Sequence, residues 1–140
     1  MTDTKSQAER NREHCKYIAE CLDRIADGGA FLDPDTGEIR YLDDDECEEL
    51  DGCIPDDAEV ATVYDYLDEV YSSRYIIDGS TREYEAVELM VDCGGPNIWV
   101  STDTKSVELY WGGYRASYPL SACAVQAIDA MWQELWEMGA

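Results

Sequence analysis

Positive charge is scarce in this chain: 10 Lys and Arg stand against 32 Asp and Glu, for a formal net charge of −22. So one-sided a field repels nucleic acid and anionic membrane and attracts basic protein surfaces, which excludes direct nucleic-acid binding. No apolar run is long enough to span a bilayer. The start, Met1 to Arg10, has neither an apolar core nor a small-residue cleavage site, so a secretory signal is not expected and the cytoplasm is. Histidine is reduced to His14 alone. None of Cys15, Cys21, Cys47, Cys53, Cys93 and Cys123 forms a CxxC pair, which leaves zinc without a ligand set. In a reducing compartment most of these cysteines are expected as buried thiols rather than a three-bridge framework.

Also missing are a Gly-rich phosphate loop, a nucleophile elbow and a second histidine, and Gly94-Gly95-Pro96 reads as a turn rather than an anion cradle. With 32 carboxylates, close pairs arise by chance and do not point to acid–base chemistry. Asp33, Asp35 and the acids from Asp43 to Glu49 offer hard oxygen ligands, but the EF-hand order is absent. The expectation is a protein that is not an enzyme, with no cofactor and no resident metal.

What is present is a foldable chain. Hydrophobic residues make up 45%, with four Trp and ten Tyr, more than a solvating acidic tail carries. Its 140 residues suit a single domain, expected as an N-terminal helix (1–29), an acidic hairpin with helices (30–72), an antiparallel meander (73–120) and a C-terminal helix (121–140). Ala8, Cys15, Ile18, Leu22 and Ile25 form the stripe of an amphipathic helix over Ser6 to Ala26, stopped by Gly28 and Gly29. Ala30–Leu32 and Glu38–Leu42 flank Asp33-Pro34-Asp35-Thr36-Gly37 as a hairpin. Asp43 to Asp51 reads as a short helix with Asp43 capping Glu46, and Asp56 with Glu59 as the start of a longer one carrying Val60, Val63, Leu67 and Val70 to about Tyr71.

The period then becomes two. Arg74–Ile77, Tyr84–Asp92, Asn97–Ser101, Val107–Trp111 and Tyr114–Tyr118 are separated by short Gly- and Asp-bearing turns, the pattern of an antiparallel meander of four to five strands. Val87, Leu89, Val91, Ile98, Val100, Val107, Leu109 and Trp111 share an apolar face, while Glu88, Trp99, Glu108 and Tyr110 point the other way. Ser121 caps a last helix with Val125, Ile128, Trp132, Leu135 and Trp136 on its apolar side. No internal repeat or linker stands out, and the fold class is α+β with an acidic helical insertion.

The charge is not spread evenly. Residues 1–26 hold five bases and five acids, so all of the −22 lies beyond them; Asp33 to Glu69 holds sixteen carboxylates against Arg40 alone. In the expected helix, Asp65 and Glu69 stand one turn apart with Asp68 beside them, a repulsive arrangement that a fold does not require. Asp43, Asp44, Asp45, Glu46, Glu48, Glu49, Asp51, Asp56, Asp57, Glu59, Asp65, Asp68 and Glu69 are therefore the candidate partner-binding residues, with Tyr64, Tyr66 and Tyr71 as anchors among them. Duplex DNA carries a phosphate charge per roughly 1.7 Å, so this net charge equals that of about 11 base pairs. A solvating coat is the competing account of the acids. Trp99 and Tyr110 form a candidate second surface, but the expectation is that another helix, the first, covers that face and makes it a second core.

The stretch CGGPNIWVSTDTKSVELYWGGYRASYPL, Cys93 to Leu120, resembles a segment of small proteins carried by phages and mobile elements of gut bacteria, and DGGAFLDPDTGEIRYL, Asp27 to Leu42, has the same character. In size and charge the chain is similar to the anti-CRISPR and anti-restriction proteins of such elements that mimic DNA. The resemblance implies an inhibitor whose carboxylates occupy the groove of a basic, nucleic-acid-binding host protein, a CRISPR effector or restriction enzyme. Bases at Arg74, Arg82, Lys105 and Arg115 would confine mimicry to one face. The alternatives are an acidic protein-interaction module without mimicry and, for assembly, a monomer or a homodimer.

Overall fold

The computed structural model describes residues 6–139; residues 1–5, on which the expectation about a secretory signal partly rests, and residue 140 lie outside the described residues. Helix α1 (Gln7–Ala26) opens on Ser6, whose hydroxyl accepts from the Glu9 amide at 3.2 Å. Cys15, Ile18, Leu22 and Ile25 are buried along it as expected, but Ala8 is exposed and Asn11 takes the first inward position. Gly28 and Gly29 then turn the chain into β1 (Ala30–Leu32), which pairs antiparallel with β2 (Ile39–Tyr41).

The acidic segment departs from its sequence reading. Asp45–Leu50 forms a 3-10 helix, and Asp43 does not cap it because its carboxylate is drawn to Arg24 at 3.0 Å. No helix runs from Asp56 to Tyr71: Glu59–Val60 is β3, a third strand beside β1, and α2 spans only Val63–Leu67. The helix starts late because the capping box belongs to Thr62, not Asp56. Its hydroxyl accepts from the Asp65 amide at 3.3 Å, while the Asp65 carboxylate accepts from the Thr62 amide at 2.7 Å. Val60 is consequently exposed, whereas Val63 and Leu67 are buried. Glu69 lies beyond the helix end, so the expected one-turn repulsion with Asp65 does not arise in a helix.

The rest of the α+β fold is the five-stranded meander, in spatial order β4 (Ser72–Ile77), β5 (Tyr84–Asp92), β6 (Asn97–Ser101), β7 (Ser106–Trp111) and β8 (Tyr114–Pro119), closed by α3 (Ala122–Glu137). Register places Leu89 opposite Val100, Val100 opposite Val107 and Ile98 opposite Leu109, and all five are buried. Helices α1 and α3 touch each other and both pack on this side, α1 over β7 and β8 and α3 over β5. Ile128 and Trp132 of α3, with Leu22 of α1, join the same buried cluster.

The structure contains a short repeated turn that apolar periodicity does not mark. Asp33-Pro34-Asp35-Thr36-Gly37-Glu38 and Asp78-Gly79-Ser80-Thr81-Arg82-Glu83 build the same turn, in which the Asp carboxylate gathers two following amides and the Thr hydroxyl accepts from the Glu amide. The cysteines divide evenly instead of being mostly buried: Cys15, Cys21 and Cys47 are buried, Cys53, Cys93 and Cys123 are exposed, and all are free thiols.

Candidate functional site

Two bases hold the acidic segment against the body of the protein. Arg24, in the last turn of α1, lies over the Tyr41 ring with its guanidinium carbon 4.2 Å from the centroid, and reaches Asp43 at 3.0 Å and Asp44 at 3.7 Å. Arg40 of β2 joins Asp33 at 3.3 Å and Glu46 at 3.4 Å. Neutralised in part, Asp43, Asp44 and Glu46 form the root of the segment rather than its free surface. Asp65 is likewise committed, half-buried and held in the Thr62 box.

The other candidates differ. Asp45, Glu48, Glu49, Asp51, Asp56, Asp57, Glu59, Asp68 and Glu69 are exposed, and among the described residues none of them forms an ion pair. They sit on the 3-10 helix, the loop into β3, β3 itself and the exit of α2, which are short elements with little apolar support. Asp51 adopts a left-handed conformation, with φ 49°, that turns the chain out of the 3-10 helix. Of the expected aromatic anchors, Tyr71 and Tyr64 are exposed, Tyr64 with its ring centroid 5.7 Å from that of Trp132. Tyr66 is no anchor: it packs against the core, where burial raises its phenol well above the ordinary range.

The second surface is partly open, with Tyr110 exposed and Trp99 half-buried. Because α1 and α3 lie on the Leu89 and Ile98 side, no helix among the described residues covers Trp99 and Tyr110, contrary to the expectation that α1 would. Their ring partners are arginines of the same sheet, Arg74 at 4.7 Å from the Trp99 centroid and Arg115 at 5.5 Å from that of Tyr110. Glu108 lies between β6 and β8 on this face and is 8% exposed, because Tyr110 (3.1 Å), Thr104 (3.4 Å) and Arg115 (3.3 Å) all donate to it. Partial burial and the bond to Glu108 raise the Tyr110 phenol above its usual range. The result is a neutral, aromatic and arginine-bearing face on a strongly anionic protein.

Burial pushes the Cys15 thiol up to about 11, so it stays protonated and non-nucleophilic at neutral pH. Among the described residues no group of three His, Cys, Asp or Glu side chains is placed to hold a metal ion. No helix among them is long and apolar enough to cross a membrane. No protein-family model matches the chain, and no curated protein or solved structure matches it either.

Proposed function

We propose that the chain is a non-enzymatic inhibitor of a basic, nucleic-acid-binding defence protein, a CRISPR effector or restriction enzyme, in which its carboxylates stand where DNA phosphates would. The observation that carries this reading is the set of nine exposed acids, Asp45, Glu48, Glu49, Asp51, Asp56, Asp57, Glu59, Asp68 and Glu69, that form no ion pair among the described residues. A fold that used them for its own stability would balance them. Here Arg24 and Arg40 neutralise only the root of the segment. Complementary potential of this kind speeds encounter and selects basic grooves, and it weakens steeply with salt.

Competition against labelled duplex DNA on purified effectors and restriction enzymes tests the proposal. The wild type displaces duplex at low salt and loses that ability as salt rises. A variant with Asp45, Glu48, Glu49, Asp56, Asp57 and Asp68 changed to Asn or Gln loses about tenfold or more. Equal displacement by the variant overturns the reading. A salt-tolerant complex broken by Trp99→Ala would instead favour an interaction module using the uncovered sheet face, the reading that the exposure of that face supports.

A further inference from the structure

The β4–β5 turn and the last two turns of α3 flank an open cleft of about 670 Å3 walled by Arg82, Glu83, Tyr84, Gln133, Trp136 and Glu137. Side chains in it already contact one another. The Trp136 indole N–H donates to the Arg82 carbonyl at 3.0 Å, and its ring lies 5.2 Å from that of Tyr75. Gln133 Nε2 donates to Glu137 Oε2 at 3.3 Å, which orients that carboxylate. Among the described residues Glu137 Oε1 and the Gln133 amide oxygen have no partner. The Tyr84 hydroxyl is spent on Asp129 at 2.7 Å, so Tyr84 offers ring and not hydroxyl.

Apart from Arg82, the wall offers two carboxylates, an amide and an indole, which present more acceptors than free donors. Its one cation, Arg82, lines it next to Glu83 and competes for the same carboxylates. We propose that this cleft receives an arginine side chain of the basic partner, with the guanidinium against the Trp136 indole and its N–H fork on Glu137 and Gln133. A planar guanidinium can do both at once, whereas an ammonium is a point charge without the fork. The proposal rests on the preceding reading for the partner's basic character and adds a second contact that the acidic segment does not supply.

The Trp136 indole N–H resonance, followed while N-acetyl-arginine-amide is added to the intact protein, tests it, with N-acetyl-citrulline-amide as the uncharged isostere. The arginine probe moves the resonance and the citrulline probe does not. Glu137→Gln weakens the response about fivefold, and Arg82→Gly, which removes the competing cation, strengthens it about twofold. An unmoved indole, an equal shift with citrulline, or an unchanged affinity in Glu137→Gln overturns the assignment. The variant neutralised at Asp45, Glu48, Glu49, Asp56, Asp57 and Asp68 keeps the indole response while losing competition with DNA, so the two proposals fail separately.

Discussion

Gly37 and Arg82 occupy the same position of the same turn, both left-handed, with φ 76° and 65°. In each, the amide donates back to the carbonyl of the turn's first Asp, at 2.7 Å for Gly37 and 2.8 Å for Arg82. Glycine reaches this conformation without penalty, whereas a side chain with a Cβ meets the following carbonyl. Lys105, at φ 58°, carries the same burden in the β6–β7 turn, where Ser101 replaces the Asp and accepts from the Thr104 amide at 3.2 Å.

Arg82→Gly should therefore stabilise the protein by about 0.5–1 kcal/mol, and Lys105→Gly by a similar amount. Arg82→Ala removes the same guanidinium but keeps the strain, and should gain nothing. Urea denaturation of the three variants separates backbone relief from charge. A gain in Arg82→Ala equal to that in Arg82→Gly would assign the effect to the side chain.

The two turns also set a pH dependence. Amide donation holds both carboxyls below the ordinary 3.8, chiefly from Asp35 for Asp33 and from Thr81 and then Ser80 for Asp78. A group depressed on folding contributes stability that is fully present above its unfolded value and is lost as pH falls through its folded value. The difference in midpoint between wild type and Asp78→Ala should stay level from neutrality to about pH 4 and shrink below it. Taking the difference removes the general relief of repulsion on acidification, which both proteins share. A difference that grows below pH 4 would contradict the assignment.

Asp65 should behave unlike the acids around it. Thr62→Ala or Asp65→Ala removes half of the box that starts α2 and should cost about 1 kcal/mol. Asp68→Asn and Glu69→Gln, exposed and unpaired among the described residues, should fall within about 0.5 kcal/mol. Equal losses at all four positions, read by chemical denaturation, would mean that the segment is stabilised by its charge pattern and not by the cap.

The meander was legible because alternation and short Gly- or Asp-bearing turns act locally; the observed strands differ from their sequence reading by two residues or fewer at any end. The acidic segment misled because Val60, Val63, Leu67 and Val70 fall at helical spacing by coincidence, two of them buried from a strand-and-short-helix path. The Thr62 and Asp65 pair was visible as a capping box, but Asp56 and Glu59 offered a similar signal earlier in the chain. Alternation gave the direction of Trp99 and Tyr110 but not which side the helices would choose, a matter of tertiary packing. The cleft was out of reach, since it joins Arg82 to Trp136 across 54 positions.

Trp111 shows where pattern and packing part. It continues the face of Val107 and Leu109, yet Leu109 is 1% exposed and Trp111 51%. The strand pair outruns its cover: Trp111 and Tyr114 face each other at the Gly112-Gly113 tip, beside Gln7 at the very start of α1. Truncation at the two positions should accordingly differ. Leu109→Ala removes a buried side chain and should cost about 2–5 kcal/mol. Trp111→Ala loses a cross-strand contact with Tyr114 and little burial, for about 0.5–1 kcal/mol. Denaturation midpoints at constant slope measure both. A Trp111→Ala loss as large as that of Leu109→Ala would require that the tip be covered in solution, and would move Trp111 from the surface into the core that its alternation implies.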